Sequence, residues 1–172
     1  MALRLLSTLS LALLGSLVLV AASREDQAKK YAADLMSKNA KDRLTAVTEL
    51  GKLGSLQKKL TVPYVSDLMK VLTDNDPKIR SEAARVIGLI DVEDKKGAVE
   101  KIAGLLKNEK VETAREGQET GLGELGATSE DDAVKKMARD ALMEARKKYT
   151  DSKREQKVIQ AALQLITGKK KN

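Results

Sequence analysis

The sequence predicts an all-α protein, an α-α solenoid of about four antiparallel helix pairs that follows an N-terminal signal segment. A phrase of Arg, seven residues and Gly occurs three times, from Arg43, Arg80 and Arg115, at intervals of 37 and 35 residues. A period in this range is typical of stacked supersecondary units. The chain is 42% hydrophobic but only 2% aromatic, so its core must consist of Leu, Ile, Val, Ala and Met. No stretch alternates between apolar and polar residues, so we expect no sheet.

The three copies of the phrase predict one helix each. They read RLTAVTELGKLG, RSEAARVIGLID and REGQETGLGELG. Counted from the Arg, the apolar positions of the phrase are +3, +7 and +10, which lie on one face of a helix. The Gly at +8 (Gly51, Gly88 and Gly123) costs about 1 kcal/mol of helix propensity each time. Its recurrence predicts close approach of a neighbouring helix backbone.

Local signals place the first three helices. The first is predicted over about 25–38. Asn39 can cap the second, which carries the first copy of the phrase and ends at Gly54. Pro63 is expected in the first turn of the third helix, where a missing N–H costs little.

The next three helices have clearer starts. Asp76 followed by Pro77 is a strong N-terminal signal for the fourth helix, which carries the second copy and ends near Asp91. Asp94 can cap the fifth helix. The sixth is predicted over about 110–126 and contains the third copy.

The last two helices begin at capping signals. The segment Ser129-Glu-Asp-Asp132 resembles a capping box and opens the seventh helix. Ser152 and Glu155 form the two ends of a second capping box, which opens the eighth helix. Gly168 is a natural C-terminal stop.

The combination of Asp-Pro-x-x-Arg with the following aliphatic-Gly phrase resembles HEAT repeats. The closest variety is the short bacterial kind named after phycobilisome lyases, and NDPKIRSEAARVIGLI (Asn75 to Ile90) is the most specific stretch. The resemblance covers 25–126 by the phrase and 128–167 by helix pattern alone. It implies an α-α superhelix whose second helices line a concave surface. The fourth pair lacks the phrase, as a terminal repeat often does.

The repeated Arg is expected to form a structural ladder. It lies early in its helix, where the helix dipole disfavours a cation, so it requires a carboxylate. Carboxylates stand six residues before Arg80 and Arg115, whereas Ser37 stands before Arg43, and the HEAT resemblance implies a ladder at this spacing. We expect Asp74 and Arg80 to be the best pair, with a partner-binding role as the alternative. The predicted ladder residues are Arg43, Asp74, Arg80, Glu109 and Arg115.

The first 23 residues have the pattern of a secretory signal. A short positive start precedes an apolar run from Leu5 to Val20, and small residues at 21–23 precede a charged segment. The alternative is an uncleaved membrane anchor, because the run approaches the length that spans a bilayer. We therefore expect an exported chain, periplasmic or extracellular, with a repeat domain over 24–168 and a basic tail over 169–172.

Charge is unevenly distributed. Residues 24–132 hold 19 Lys or Arg and 21 Asp or Glu, whereas 133–172 hold 12 and 4. The basic end could attract polyanions or anionic headgroups, and the alternative is a solvated charged face. Nucleic acid is disfavoured by the export signal and by the lack of aromatic residues for base stacking. The candidate anion-binding residues are Lys135, Lys136, Arg139, Arg146, Lys147, Lys148, Lys153, Arg154 and Lys157.

Most catalytic chemistry lacks its usual residues here. The chain has no Cys and no His, which removes the commonest nucleophile, general base and metal ligand. Gly121 to Gly126 matches G-x-G-x-x-G, but a dinucleotide site requires a preceding strand, and helix is predicted there. Glu112, Glu116 and Glu119 share a helical face, for which hydrated carboxylates are the favoured interpretation and a divalent metal the alternative. We predict no cofactor, metal or catalytic site.

These observations favour a non-catalytic exported scaffold that mediates protein–protein interaction. The alternative is electrostatic attachment to an anionic surface through the basic end. A lyase activity is suggested only by the name of the resembling family, and no small-molecule substrate is predicted. The candidate partner contacts on the concave face are Lys41, Thr45, Lys78, Ser81, Glu82 and Arg85.

Overall fold

The computed structural model describes residues 24–90 and 92–168. The predicted signal segment (1–23) and basic tail (169–172) lie outside this part of the chain. Within it the protein is helical throughout, without a strand, as predicted. The helices are α1 (24–34), α2 (Ala40–Leu56), α3 (Val65–Val71), α4 (Pro77–Leu89), α5 (Lys95–Leu106), α6 (Glu112–Thr128), α7 (Asp132–Lys148) and α8 (Lys153–Thr167).

Several of these helices begin or end at the predicted capping residues. The Asn39 side chain accepts a hydrogen bond from Lys41 N–H. Asp76 caps α4 in the same way, with Pro77 as the first helical residue. Gly168 ends α8 in the left-handed conformation, at φ 65°. These boundaries could be predicted because short side chains satisfy the free N–H groups of a helix start locally.

Two predicted starts are wrong in detail. Pro63 lies in a 3₁₀ turn (Val62–Tyr64) that precedes α3, not in the first turn of that helix. The cap of α7 is Asp131, whose side chain accepts from Ala133 N–H. Ser129 ends α6 instead. Its hydroxyl accepts from Asp131 N–H and so fixes the turn rather than the helix start.

The even-numbered helices form a continuous row. In this row α2 packs on α4, α4 on α6 and α6 on α8, and the α4–α6 contact is the most extensive. A second row packs against it: α3 on α4, α5 on α6, and α7 on both α6 and α8. Between the rows lies an aliphatic core. Its fully buried side chains include Leu50, Leu68, Ile87, Ile102, Leu122, Leu142 and Ile159.

Close backbone contact explains two of the three phrase glycines. A Cβ on Gly88 would lie 2.9 Å from the Cα of Gly121, and a Cβ on Gly121 would overlap the carbonyl oxygen of Ala84. In the next contact of the row, a Cβ on Gly123 would lie 2.8 Å from the Cα of Ala162. The expected close approach of helix backbones is therefore confirmed for α4–α6 and α6–α8.

The first copy of the phrase differs. A Cβ on Gly51 would lie 2.6 Å from Cγ2 of Val86, so this glycine accommodates a side chain of α4 rather than its backbone. The α2–α4 contact is also less extensive than the α4–α6 contact. The row is therefore packed most tightly in its middle.

We predict opposite effects for alanine at two helical glycines. Gly121→Ala should lower the free energy of unfolding by about 1–3 kcal/mol, because the new methyl group forces α6 away from α4. Gly104→Ala, in the interior of α5, should raise it by up to about 1 kcal/mol, because a Cβ there meets no atom within 4 Å and helix propensity improves. Urea denaturation of both variants measures the difference. A shift of the same sign in both would contradict the packing argument.

Candidate functional site

Three Arg–carboxylate pairs connect successive helix pairs. In each, Nε and Nη2 of the guanidinium donate to the two oxygens of one carboxylate, the bidentate geometry that is strongest for this pair. The pairs are Arg43–Asp74 (2.6 and 2.9 Å), Arg80–Glu109 (2.8 and 2.9 Å) and Arg115–Glu155 (2.5 and 2.8 Å). All six side chains are largely buried. Each pair fixes the register between neighbouring repeats.

The expected pairing of Arg80 with Asp74 is wrong. The Asp74 carboxylate belongs to Arg43, and Arg80 pairs with Glu109 of the following repeat. Arg80 does contact the residue six positions earlier, but through Nη1, which donates to the backbone carbonyl of Asp74 at 2.8 Å. The Asp74 side chain, in the loop before α4, also accepts from Asp76 N–H through Oδ1. Arg43 repeats the backbone contact with the carbonyl of Ser37 at 2.9 Å.

Glu155 completes the ladder, and the sequence analysis missed this role. It lies in the first turn of α8 and its side chain is 1% exposed. Its N–H donates to Ser152 Oγ as in a capping box, but its carboxylate binds Arg115 instead of returning to the N-cap. The sequence contained one indication of this role. Arg115 requires a carboxylate from the fourth helix pair, and that pair has few Asp or Glu residues.

The pKa values of two ladder carboxylates, Asp74 and Glu109, are lowered. Burial alone raises the pKa of Asp74, but the hydrogen bonds from Arg43 and from Asp76 N–H outweigh it and bring the pKa below its ordinary value. The same balance, with Arg80 and the N–H groups of 110 and 111, lowers the pKa of Glu109. A carboxyl pKa lowered in the folded state stabilises the fold above the unfolded pKa, and this stabilisation is lost as the pH falls.

The third copy of the phrase places two polar residues in the core. The prediction that position +3 is apolar is wrong for this copy, where Gln118 replaces the alanines of the other two. At +4, Glu119 stands where the other copies have Val47 and Ala84. Both side chains are fully buried, and no described group hydrogen-bonds the amide of Gln118 or either carboxyl oxygen of Glu119. Burying such groups is costly, so this position differs physically from its equivalents.

Glu119 shares its environment with the last pair of the ladder. Burial raises the pKa of Glu119 to about 9, and the charge of Glu155 acts in the same direction, while Arg115 opposes both. The Glu119 carboxyl is therefore protonated at neutral pH. The Arg115 guanidinium also stacks 4.1 Å from the ring centre of Tyr149. This buried cluster joins α6 to α8.

The expectation of hydrated carboxylates on this face of α6 is also wrong. Ser152 Oγ donates to Glu112 at 2.6 Å, and Arg154 Nε lies 2.8 Å from Glu116 Oε1. Together with Glu119, these carboxylates face α8 rather than solvent. Among the described residues, no group of three or more Cys, Asp or Glu side chains is arranged to hold a metal ion.

All six candidate partner contacts lie at least partly at the surface of the even row. Lys41, Thr45, Lys78 and Arg85 are exposed, whereas Ser81 and Glu82 are partly exposed. Ser81 also packs on α6, because a Cβ on Gly117 would overlap its backbone and hydroxyl. Ser81 therefore contributes to the α4–α6 contact as well.

The basic residues of α7 and α8 divide into two groups. Several have partners: Lys135 Nζ lies 3.0 Å from Asp132, Lys136 Nζ 2.5 Å from Asp140, Arg139 Nε 3.9 Å from Asp140 and Arg154 Nε 2.8 Å from Glu116, while Lys148 Nζ donates to the carbonyl of Lys107. The remaining four are exposed and form no ion pair with a described residue. They are Arg146, Lys147, Lys153 and Lys157. These four, at the end of α7 and the start of α8, are called the basic cluster below.

The G-x-G-x-x-G match lies wholly inside α6. Its glycines face neighbouring helices: Gly121 meets α4, and Gly123 and Gly126 meet α8. Their role is helix packing, which agrees with the exclusion of a phosphate loop. In 24–90 and 92–168, no helix has both the length and the apolar character needed to cross a bilayer.

We predict that Arg80→Ala lowers the free energy of unfolding by about 2–4 kcal/mol, because it leaves the Glu109 carboxylate buried without its partner. Arg85→Ala on the same helix removes an exposed guanidinium whose Nε is 3.7 Å from Glu82, and should change stability by no more than about 0.5 kcal/mol. Thermal and urea unfolding measure both. If Arg80→Ala unfolds like the unmutated chain, the Arg80–Glu109 pair does not have the structural role assigned to it.

Glu119→Gln should remove a pH dependence. Because the pKa of Glu119 is raised to about 9 in the folded state, its contribution is fully present below the unfolded value near 4.5 and is lost as pH rises towards 9. The variant should therefore be more stable than the unmutated chain at pH 8, with little difference near pH 4.5. Urea titrations across this range test it. Glu124→Gln, the same charge change on the same helix, should keep the original slope, and an unchanged slope in Glu119→Gln would refute the raised pKa of Glu119.

Comparison of the chain with family models and with curated proteins found no match.

Proposed function

We propose that this chain is a non-catalytic, exported scaffold of the HEAT-repeat type, which binds a protein partner on the exposed face of the even row. The resemblance of residues 75–90 to a HEAT repeat supports the family. The successive packing of α2, α4, α6 and α8 supports the expected superhelix, with the even row on its concave side.

The observation that carries the proposal is a contrast between positions within the repeat. At position +7 the three copies have Leu50, Ile87 and Leu122, and all are fully buried. At position +9 they have Lys52, Leu89 and Glu124, which are exposed or partly exposed and differ in charge and size. The buried position is thus alike in all three copies, whereas the exposed position differs. This pattern suits a stacked array that recognises a particular partner.

The chemistry of this surface fits a protein better than a uniform polyanion. Leu89 is 52% exposed in the middle of the face, beside positions that carry both signs of charge. A protein surface can match an apolar side chain and charges of both signs, whereas a uniform polyanion would be repelled by the carboxylates of this face. The ladder and the glycine contacts fix the helices that carry these side chains. The helices therefore do not have to become ordered when a partner binds, which lowers the free-energy cost of binding.

The N-terminal sequence supports export. An apolar run from Leu5 to Val20 follows a positive start and precedes small residues, the pattern of a secretory signal. The partner is then a protein of the periplasm or of the extracellular space. A retained leader would instead hold the scaffold at the membrane.

A pull-down from the native envelope fraction with mass spectrometry tests the proposal. We expect Leu89→Glu to lose the partner that the unmutated chain recovers, because a charge replaces an apolar contact. Lys101→Glu, an exposed change on α5 in the other row, should recover it fully. Recovery of the same protein by Leu89→Glu at full yield would contradict a partner site on this face.

The basic cluster favours a second function, electrostatic attachment to an anionic surface. Its four side chains form no ion pair with a described residue. They are close to one another in sequence, around the α7–α8 turn. Cations without local partners can contribute to binding of anionic headgroups by about 1 kcal/mol each.

Ionic strength separates the two functions. Binding to vesicles that contain phosphatidylserine should disappear between 0.05 and 0.5 M NaCl, on the order of a threefold drop in Debye length. Changing all four cluster residues to Gln should abolish it at low salt. The protein partner should remain bound at high salt, and vesicle binding that survives high salt would exclude the electrostatic mechanism.

A further inference from the structure

A pocket of about 230 Å³ lies between α5 and α7. Its walls are largely apolar, formed by Ala103, Leu106, Ala141, Ala145 and the Tyr149 ring. Its volume exceeds the roughly 150 Å³ that holds one benzene molecule and is below the ~300 Å³ typical of sites for drug-sized ligands. An occupant would therefore be a small ring or a short alkyl chain.

Gly104 lies in the last turn of α5, at the exposed rim of this pocket. The glycines of α6 are required by packing, since a Cβ on any of them would meet a neighbouring helix, whereas a Cβ on Gly104 meets no atom within 4 Å. Packing therefore does not require glycine at this position, and a larger side chain improves helix propensity. A long aliphatic side chain here has room to extend over the pocket.

Hydrogen bonds at one end hold the two helices apart at a fixed distance. Tyr149 Oη donates to the carbonyl of Leu106 at 2.9 Å, and Lys148 Nζ donates to the carbonyl of Lys107. Lys107 Nζ also lies 3.4 Å from Glu144 across the pocket. These contacts join the C-terminal ends of α5 and α7. The pocket is thus preformed, which reduces the cost of binding.

The mouth of the pocket is positively charged. Two ammonium groups, of Lys107 and Lys148, face one carboxylate, of Glu144, and the exposed cations Arg146 and Lys147 follow in the same helix turn. Lys148 retains N–H protons beyond the one given to the Lys107 carbonyl. A cationic ligand would be repelled, and a neutral one would gain nothing at the mouth. An apolar body with one anionic head complements both regions.

We propose that this pocket binds a small amphiphile, a monocarboxylate with a short alkyl chain or a single ring, with the chain between α5 and α7 and the carboxylate at Lys148. This site is separate from the face of the even row and does not depend on a protein partner there.

Hexanoate, 1-hexanol and hexylammonium test the site, because they share a chain and differ in the head group. We expect hexanoate to shift the amide resonances of Gly104, Ala141 and Lys148 in a ¹⁵N-labelled chain. 1-Hexanol should bind severalfold more weakly and hexylammonium more weakly still. Equal binding of hexylammonium and hexanoate, or shifts spread over lysines elsewhere, would overturn the proposal.

Filling variants separate the pocket from general surface binding. Gly104→Leu occupies the open space while improving helix propensity, so it should fold at least as stably and raise the Kd for hexanoate at least tenfold. Ala141→Leu narrows the pocket from the opposite wall and should act in the same direction. Hexanoate affinity that is unchanged in both variants, with native helicity by circular dichroism, would exclude the pocket as the site.

Substitution of the head-group residue has a matched control. Lys148→Gln should weaken hexanoate severalfold and leave 1-hexanol unaffected, because only the charged head contacts the ammonium. Lys136→Gln, on the same helix but outside the pocket, should change neither. If Lys136→Gln loses as much hexanoate binding as Lys148→Gln, net charge alone explains the effect and the proposed site is refuted.

Discussion

The bidentate bond between an Arg of one repeat and a carboxylate of the next is the interaction on which the stack depends. Each guanidinium joins three segments: its own helix, the backbone of the loop before that helix and the side chain of the following repeat. Because both charges are mostly buried, loss of either leaves the other desolvated and unpaired. The bond therefore acts less as a source of net attraction than as a constraint on register, since any other register would leave a charge unpaired in a place that water hardly reaches.

The glycine contacts complement this constraint. Where α4 and α6 meet at Gly88 and Gly121, backbone packs on backbone, so the separation of the helices does not depend on which side chains the exposed positions carry. The ladder fixes how far one repeat slides along the next, and the glycines fix how closely they approach. With both set by buried residues, the outer positions of the row are free to vary. Lys52, Leu89 and Glu124 illustrate this freedom at one position of the repeat.

The helices could be predicted from the sequence, whereas the contacts between repeats could not. Caps such as Asn39 and Asp76 satisfy N–H groups within two residues, so linear spacing determines them. The partner of Arg80 is 29 residues away, and its choice depends on which way the Asp74 side chain faces, which spacing along the chain does not encode. Gln118 and Glu119 could have been noticed by aligning the three copies, but the proximity of Glu119 to Glu155 follows only from the packing of α6 on α8.

The junction of α6 with α7 and α8 is where the regular repeat gives way to something more specialised. The first two ladder carboxylates come from loops, but the third comes from inside α8, and the buried Glu119 beside it must keep its proton. Tyr149 then extends this cluster outward: its ring covers Arg115, and its hydroxyl holds the end of α5. The same ring forms a wall of the α5–α7 pocket. Tyr149 therefore contacts both the last ladder pair and the proposed site, so it is the side chain through which a change at the cap of the stack would reach that site.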